Sequence, residues 1–196
     1  MWRRLLALVG FQVVDARMES LAQRAEKGAA AERATGAKLR ILESRGWYVL
    51  HGRHVPGCRA DLDHVLVPPN GRAVVVLDTK RWHAQQATYL KGGKVHCGGE
   101  DRHDQIEAVA GYARRVQEEL GMPGVAVWPL VVVHGSRVRG NEGEYLEAPV
   151  AGGGTVFVLG GERLVPELLR ASKGIDSRAA NVLAARVERV LPPHPG

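Results

Sequence analysis

Apolar residues recur along this chain in two rhythms, one of helical period and one of strand period. Over residues 29–44 small and apolar positions fall three and four apart in a stretch rich in Ala, Lys, Arg and Leu, and Gly46 follows. That pattern predicts a helix ended by a glycine. Ile106, Val109, Ala113, Val116 and Leu120 repeat the period, with Asp101 and Asp104 at the start and Gly121 at the end, so a second helix is expected to pack on a sheet. Residues 164–169 and 179–191 predict two more, the last stopped by Pro192-Pro193.

The strand rhythm begins at residues 47–50 and is strongest at 62–67 and 73–79. Both of these runs are apolar on both faces, and Pro68-Pro69-Asn70-Gly71 separates them. They read as a hairpin in the middle of a covered sheet. Residues 88–91 and 94–97, joined by Gly92-Gly93, predict a smaller hairpin, and 125–133 and 155–159 predict two further buried strands. The Gly-, Glu- and Arg-rich stretch at 135–154 reads as a mobile loop. This order of helices and strands implies a single mixed α/β domain.

Ahead of the domain, Arg3 and Arg4 precede the apolar residues 5–9 in superficial imitation of a signal peptide. Gly10, Gln12, Asp15 and Arg17 interrupt the run and no small-x-small cleavage site follows, so neither a leader nor a membrane span is expected. Leu6, Val9, Val13, Met18 and Leu21 instead fit one side of an amphipathic helix. Such a helix suits docking to a second copy or a larger complex better than a membrane surface.

Composition adds three constraints. With 196 residues, 45% of them hydrophobic and 24% charged, the chain can bury one substantial core and has the composition of a folded domain rather than of a disordered segment. The net charge of +6 suits a polyanionic partner. Two cysteines, Cys58 and Cys97, are too few for a disulfide scaffold, so a reducing cytoplasm is expected.

The candidate chemistry lies where the apolar strands turn acidic. Asp78 and Lys80 share a strand face, because side chains alternate. A turn of two or four residues would place Asp63 opposite Val76 and Asp61 opposite Asp78, with all four polar side chains on that face. Cross-strand and diagonal neighbours lie roughly 5–8 Å apart, within reach of one divalent cation. On the first helix, Glu32 falls on the same stripe as Thr35, Leu39 and Leu42 and so faces the core. A carboxylate there needs a cation or hydrogen bonds. Oxygen donors of this kind favour Mg2+ or Mn2+ over zinc.

These residues resemble the nuclease-related domain (NERD) family, a branch of the PD-(D/E)xK nuclease superfamily with a restriction-endonuclease-like core. The resemblance spans about residues 28–169. It is carried by Ala31-Glu32, by Pro56-Gly57-Cys58-Arg59-Ala60-Asp61-Leu62-Asp63-His64 and by Val74-Val75-Val76-Leu77-Asp78-Thr79-Lys80, with Gln105 similar to the family's glutamine. Ala31 stands where the family usually has glycine, and Asp78 where glutamate is common. The resemblance implies a mixed central sheet flanked by helices in a nuclease-related domain over 28–170, and the residue pattern adds an N-terminal helical arm over 1–27 and a C-terminal helix and tail over 171–196.

By position, the resemblance makes Glu32, Asp63 and Asp78 the acidic, metal-holding set, Lys80 the catalytic lysine, and Gln105 an aligning residue. The implied activity is Mg2+- or Mn2+-dependent hydrolysis of phosphodiester bonds, with DNA favoured over RNA and endonuclease over exonuclease action. Arg53, Arg59, Arg72, Arg81 and Lys91 are candidates to track a nucleic-acid backbone, and Trp82 and Tyr89 to stack on bases. The rival class is a non-catalytic nucleic-acid-binding or partner-binding module that kept the fold.

Several residues admit blander readings. Asp61 is an auxiliary ligand or a strand-start turn residue, the latter more often. His64 alternates to the face away from Asp63 and reads as a hydrogen-bonded core histidine. His51, His54 and Cys58, or His96 and Cys97, lack the spacing of a closed zinc site. Gly152-Gly153-Gly154 has no following Lys-Ser or Lys-Thr and is a turn rather than a P-loop.

Overall fold

The computed structural model describes residues 2–57, 61–140 and 145–194, with side chains described from Met18 onward. The chain opens with α1 (Trp2–Glu43), in which the expected arm and the first core helix are one continuous element. Strands β1 (Tyr48–His54), β2 (Asp61–Val67) and β3 (Ala73–Arg81) follow. A small sheet then interrupts, made of β4 (Ala87–Lys91), β5 (Lys94–Cys97) and β6 (Glu100–Asp101), before α2 (His103–Leu120). The remainder is β7 (Ala126–His134), β8 (Arg137–Val138), β9 (Tyr145–Pro149), β10 (Thr155–Gly160), α3 (Leu164–Ala171) and α4 (Ser177–Val190).

Six strands form the central sheet in the order β1-β2-β3-β7-β10-β9. The β1–β2 and β2–β3 pairs are antiparallel, β3–β7 and β7–β10 are parallel, and β9 closes the far edge antiparallel to β10. The doubly apolar β2 and β3 therefore lie inside the sheet, as strands covered on both faces must. This is a mixed sheet flanked by helices, with a helical N-terminal extension, and it is consistent with the restriction-endonuclease-like fold.

Each face has its own core. Leu39 and Leu42 of α1 pack with Leu66, Val75, Leu77, Leu130 and Val132, and α3 adds Leu164 and Leu168. On the other face Val65, Val67, Val74 and Val76 meet Ala113, Val116 and Leu120 of α2 and Leu183 and Val187 of α4. The alternation of Val74, Val75, Val76 and Leu77 between these two clusters is the strand period read in packing. All five residues of the period expected for α2 are buried, and Gly121 ends that helix in the left-handed conformation, its N–H reaching the Gln117 carbonyl.

One expectation needs correction here. The segment 135–154 is not a plain loop, because it supplies β8 to the small sheet and β9 to the edge of the large one. Only alternate β9 residues, Leu146 and Ala148, are buried, while Glu147 and Pro149 face out. An edge strand of this kind lacks the continuous apolar run of a central one, and it tolerates proline. The arm, for its part, presents Met18 and Leu21 to solvent at 62% and 57% exposure. Leu6, Val9 and Val13 lie outside the described side chains. Among the described residues, no helix is long and apolar enough to cross a membrane.

Candidate active site

The site forms where the central hairpin stops being a hairpin. Toward the turn, β2 and β3 pair in the register His64↔Leu77, Val65↔Val76 and Leu66↔Val75. Continued one step, this register puts Asp63 opposite Asp78, two residues away from the partner expected from sequence. The reason is the longer turn: β2 ends at Val67 and β3 begins at Ala73. Because the shift is even, Asp63, Asp78 and Lys80 keep their shared face. At this point the backbone ladder gives way, and the Thr79 N–H donates to Asp63 Oδ2 at 2.6 Å instead of to a β2 carbonyl.

Asp78 is only 7% exposed, at the end of the apolar run Val74 to Leu77. Lys80 Nζ lies 2.8 Å from its Oδ2, yet that oxygen receives no well-directed hydrogen bond. Burial raises the Asp78 pKa, and the Lys80 ammonium counters it. Asp63 is pushed from 3.8 up to about 7, first by burial and then by the neighbouring charge of Asp78, with Glu32 adding to the effect. The Thr79 N–H and Lys80 oppose the rise without cancelling it. Glu32, half-buried on α1, is thus close enough to act on Asp63. Three carboxylates share one lysine, and in metal-free protein a proton on Asp63 relieves their repulsion.

That electrostatic deficit is the observation against which a metal can be tested. The donors are carboxylate oxygens, one of them buried without a well-directed partner. By chemistry Glu32, Asp63 and Asp78 offer the oxygen donors that a hard divalent cation takes, although as placed here their ligand atoms are not all within 4.8 Å of one another.

A polar chain on the α1 face braces this end of the sheet. Thr79 Oγ1 donates to Thr35 Oγ1 at 3.2 Å, and Thr35 Oγ1 lies 2.8 Å from His134 Nε2. Thr35 is fully buried, on the stripe that also carries Leu39 and Leu42. Burial, helped by Lys38 and Arg81, lowers the pKa of His134. Neither Thr35 nor His134 stands out in the sequence as a site residue, because their link joins a helix to a strand 99 positions away.

Other expected residues are distributed more widely. Gln105 accepts a hydrogen bond from Trp82 Nε1 at 3.2 Å, two residues beyond Lys80. Trp82 itself is 5% exposed and belongs to the core, which removes it as a stacking platform. The Tyr89 hydroxyl is committed to the Gly98 carbonyl, and its ring stacks on His96. Arg81 is exposed beside Lys80, and Lys91 is exposed at the tip of the small hairpin. Arg72 sits at the turn end of β3, roughly 20 Å from Asp78 at about 3.3 Å per residue, so it does not join the acids. Arg53 is half-buried and contacts the Leu191 carbonyl at 3.5 Å. Arg59 and Cys58 lie outside the described residues.

His64 is a core residue at 2% exposure, with Nδ1 2.7 Å from His51 Nδ1. Burial and His51 hold its pKa down at about 4, so it stays neutral near pH 7. Asp61 begins β2, as expected of a strand-start residue, and its carboxylate pairs with His54 and with His194 beyond α4.

Comparisons with curated proteins and with solved structures matched nothing. A family model described as the nuclease-related domain (NERD) matches residues 27–134, more than half of the 196 residues, from the α1 turns that carry Glu32 to His134 at the end of β7. On that match and on the fold that carries it, the chain belongs to the nuclease-related domain family, within the general context of the PD-(D/E)xK superfamily.

Proposed function

We propose that the protein is a Mg2+- or Mn2+-dependent nuclease that hydrolyses phosphodiester bonds, with DNA as the favoured substrate. The observation that supports this reading is that Asp78 and Glu32 both lie near enough to act on Asp63, while Lys80 contacts Asp78, at the splayed end of β2 and β3. Asp63 and Asp78 would hold the ion, with Glu32 completing the shell or orienting a water. A cation bound there supplies Lewis acidity toward a phosphate oxygen and lowers the pKa of a coordinated water.

The chain's own groups do the rest. Lys80, with about 30% of its side chain exposed, can reach a phosphate and offset the negative charge that grows on it in the transition state. The Thr79 N–H fixes the Asp63 carboxylate, and the Thr79–Thr35–His134 chain fixes Thr79. Arg81 and Lys91 are exposed for backbone contacts to a nucleic acid. Gln105 acts by holding Trp82 and the strand end that follows Lys80.

The test is cleavage of supercoiled plasmid and of single-stranded DNA with Mg2+ or Mn2+, comparing the native chain with Asp78→Ala and Lys80→Ala. Cleavage by the native chain alone is expected. Equal cutting by all three would remove the assigned site. Salt-dependent binding by all three without cutting would favour a non-catalytic nucleic-acid-binding module.

A further inference from the structure

Outside the acidic site, a second group of metal-binding side chains is assembled from three separate parts of the chain. His54 ends β1, Asp61 begins β2, and His194 follows Pro192-Pro193 beyond α4. His54 Nδ1 lies 3.1 Å from Asp61 Oδ1, and His194 Nδ1 lies 2.9 Å from Asp61 Oδ2. One ligand atom from each residue can be chosen so that all three fall within 4.8 Å of one another.

The tail is seated by its backbone as well as by its imidazole. The His54 N–H donates to the Pro192 carbonyl and the His194 N–H to the Gly52 carbonyl, each at 2.9 Å, and Pro193 bridges to Arg53. His194 thus sits in an added strand-like turn on the edge of β1, and two prolines restrict the segment that delivers it. This backbone seating is independent of the side-chain cluster and places the ring at the carboxylate without relying on their attraction.

The donor chemistry differs from that of the acidic site. Two imidazole nitrogens and one carboxylate are a borderline set that suits zinc, with metal–ligand distances of about 2.0–2.2 Å. In a tetrahedral shell those lengths separate neighbouring donors by roughly 3.3–3.5 Å, and one ligand atom from each residue already lies within 4.8 Å of the other two, so adjustments of about an ångström gather them into one shell. All three side chains are partly exposed, at 33%, 34% and 50%, which leaves room for a water as fourth ligand.

We propose that His54, Asp61 and His194 form a zinc-class transition-metal site with one position open to water, which fastens the C-terminal tail to the start of the strand that carries Asp63. The site does not depend on the nuclease reading.

The test uses the full chain, stripped by chelator and titrated with Zn2+ in competition with a chromophoric chelator, and with Co2+ to read coordination from its visible ligand-field absorption. One equivalent of Zn2+ is expected to bind at micromolar concentration or tighter, with the Co2+ spectrum of a four-coordinate site. His54→Ala and His194→Ala should each weaken binding at least about tenfold, by analogy with the 10–100-fold cost of losing even outer-shell partners. Asp78→Asn, which alters only the acidic site, should bind Zn2+ as the native chain does. The absence of stoichiometric binding, equal affinity in His194→Ala, or loss of binding in Asp78→Asn would each overturn the proposal. His194→Ala changes a half-exposed tail residue, so its folding can be checked separately by circular dichroism.

Discussion

The two ends of the β2–β3 pair obey opposite physics. Toward the turn, Val65, Leu66, Val74, Val76 and Leu77 are sealed between helices on both faces, and the strands pair backbone to backbone. Toward the other end, within a few residues, the same two strands carry Asp63, Asp78 and Lys80, and a carboxylate takes the place of a ladder carbonyl. The closed end contributes stability through buried apolar area. The open end opposes it, because burial and mutual repulsion penalise its acids. A rigid closed end is what holds mutually repelling carboxylates in place where a cation can use them.

The largest expected effect lies at the open end. Asp78→Ala or Lys80→Ala should lower metal-dependent cleavage by at least about 10²-fold, the usual scale for removing one charge-stabilising group, while leaving unfolding by urea a single cooperative transition. Plasmid-nicking rates and a denaturation curve on the same preparations check this. At the closed end the pattern should reverse. Leu66→Ala should cost about 2–5 kcal/mol of stability, with little change in the cleavage rate of the protein that remains folded. If Leu66→Ala instead abolished cleavage at full folding, the two ends would not be separable.

A pH experiment sharpens the comparison further. Asp63 titrates near 7 in the folded protein but near 3.8 when unfolded, so the native state holds an extra proton between those values and stability falls as pH rises through them. His64 titrates near 4 folded and 6.5 unfolded, so it is the unfolded state that holds the extra proton and stability falls as pH drops from 6.5 to 4. The two slopes oppose one another across the same window. Asp63→Asn removes the first and should expose the second, a loss of up to about 3 kcal/mol on acidification at 1.36 kcal/mol per pH unit. Above pH 7 in metal-free buffer the same variant should be the more stable protein. Urea denaturation at several pH values reads both effects, and a flat profile for Asp63→Asn would contradict the account.

The same proton would couple the acids to the proposed cation. A divalent ion bound below pH 7 has to displace it, so the heat of Mg2+ binding at pH 6 should vary with the ionisation enthalpy of the buffer, and at pH 8 it should not. Calorimetry in two buffers at each pH makes the comparison. The smallest effect is expected beside the site, where Gln105→Met keeps the side-chain length and removes the acceptor of the Trp82 Nε1–H. That should cost about 0.5–1.5 kcal/mol, with only a modest change in cleavage.

Much of this arrangement is legible in the linear chain, because local periodicity reports which face of an element is buried. The stripe of Glu32, Thr35, Leu39 and Leu42, the period of α2 and the doubly apolar β2 and β3 all appear in the fold as expected. The face shared by Asp63, Asp78 and Lys80 also survives, since strand alternation depends only on whether residues are an odd or even number apart. The cross-strand partners do not follow from that rule, because they depend on how many residues the turn takes. The edge strand β9 was hidden for a related reason, as one buried face leaves only a weak alternating signal.

By itself, then, the sequence determined the helices, the central strands, their buried faces and the set of acidic candidates, all of which depend on neighbours within a turn or two of chain. Only the tertiary structure decided which acid faces which, that Thr35 and His134 brace Thr79, and that His194 returns to Asp61. Those outcomes rest on turn length, helix placement and the seating of a distant tail. They join residues that no local spacing connects, through contacts that exist only once the sheet and its helices have packed.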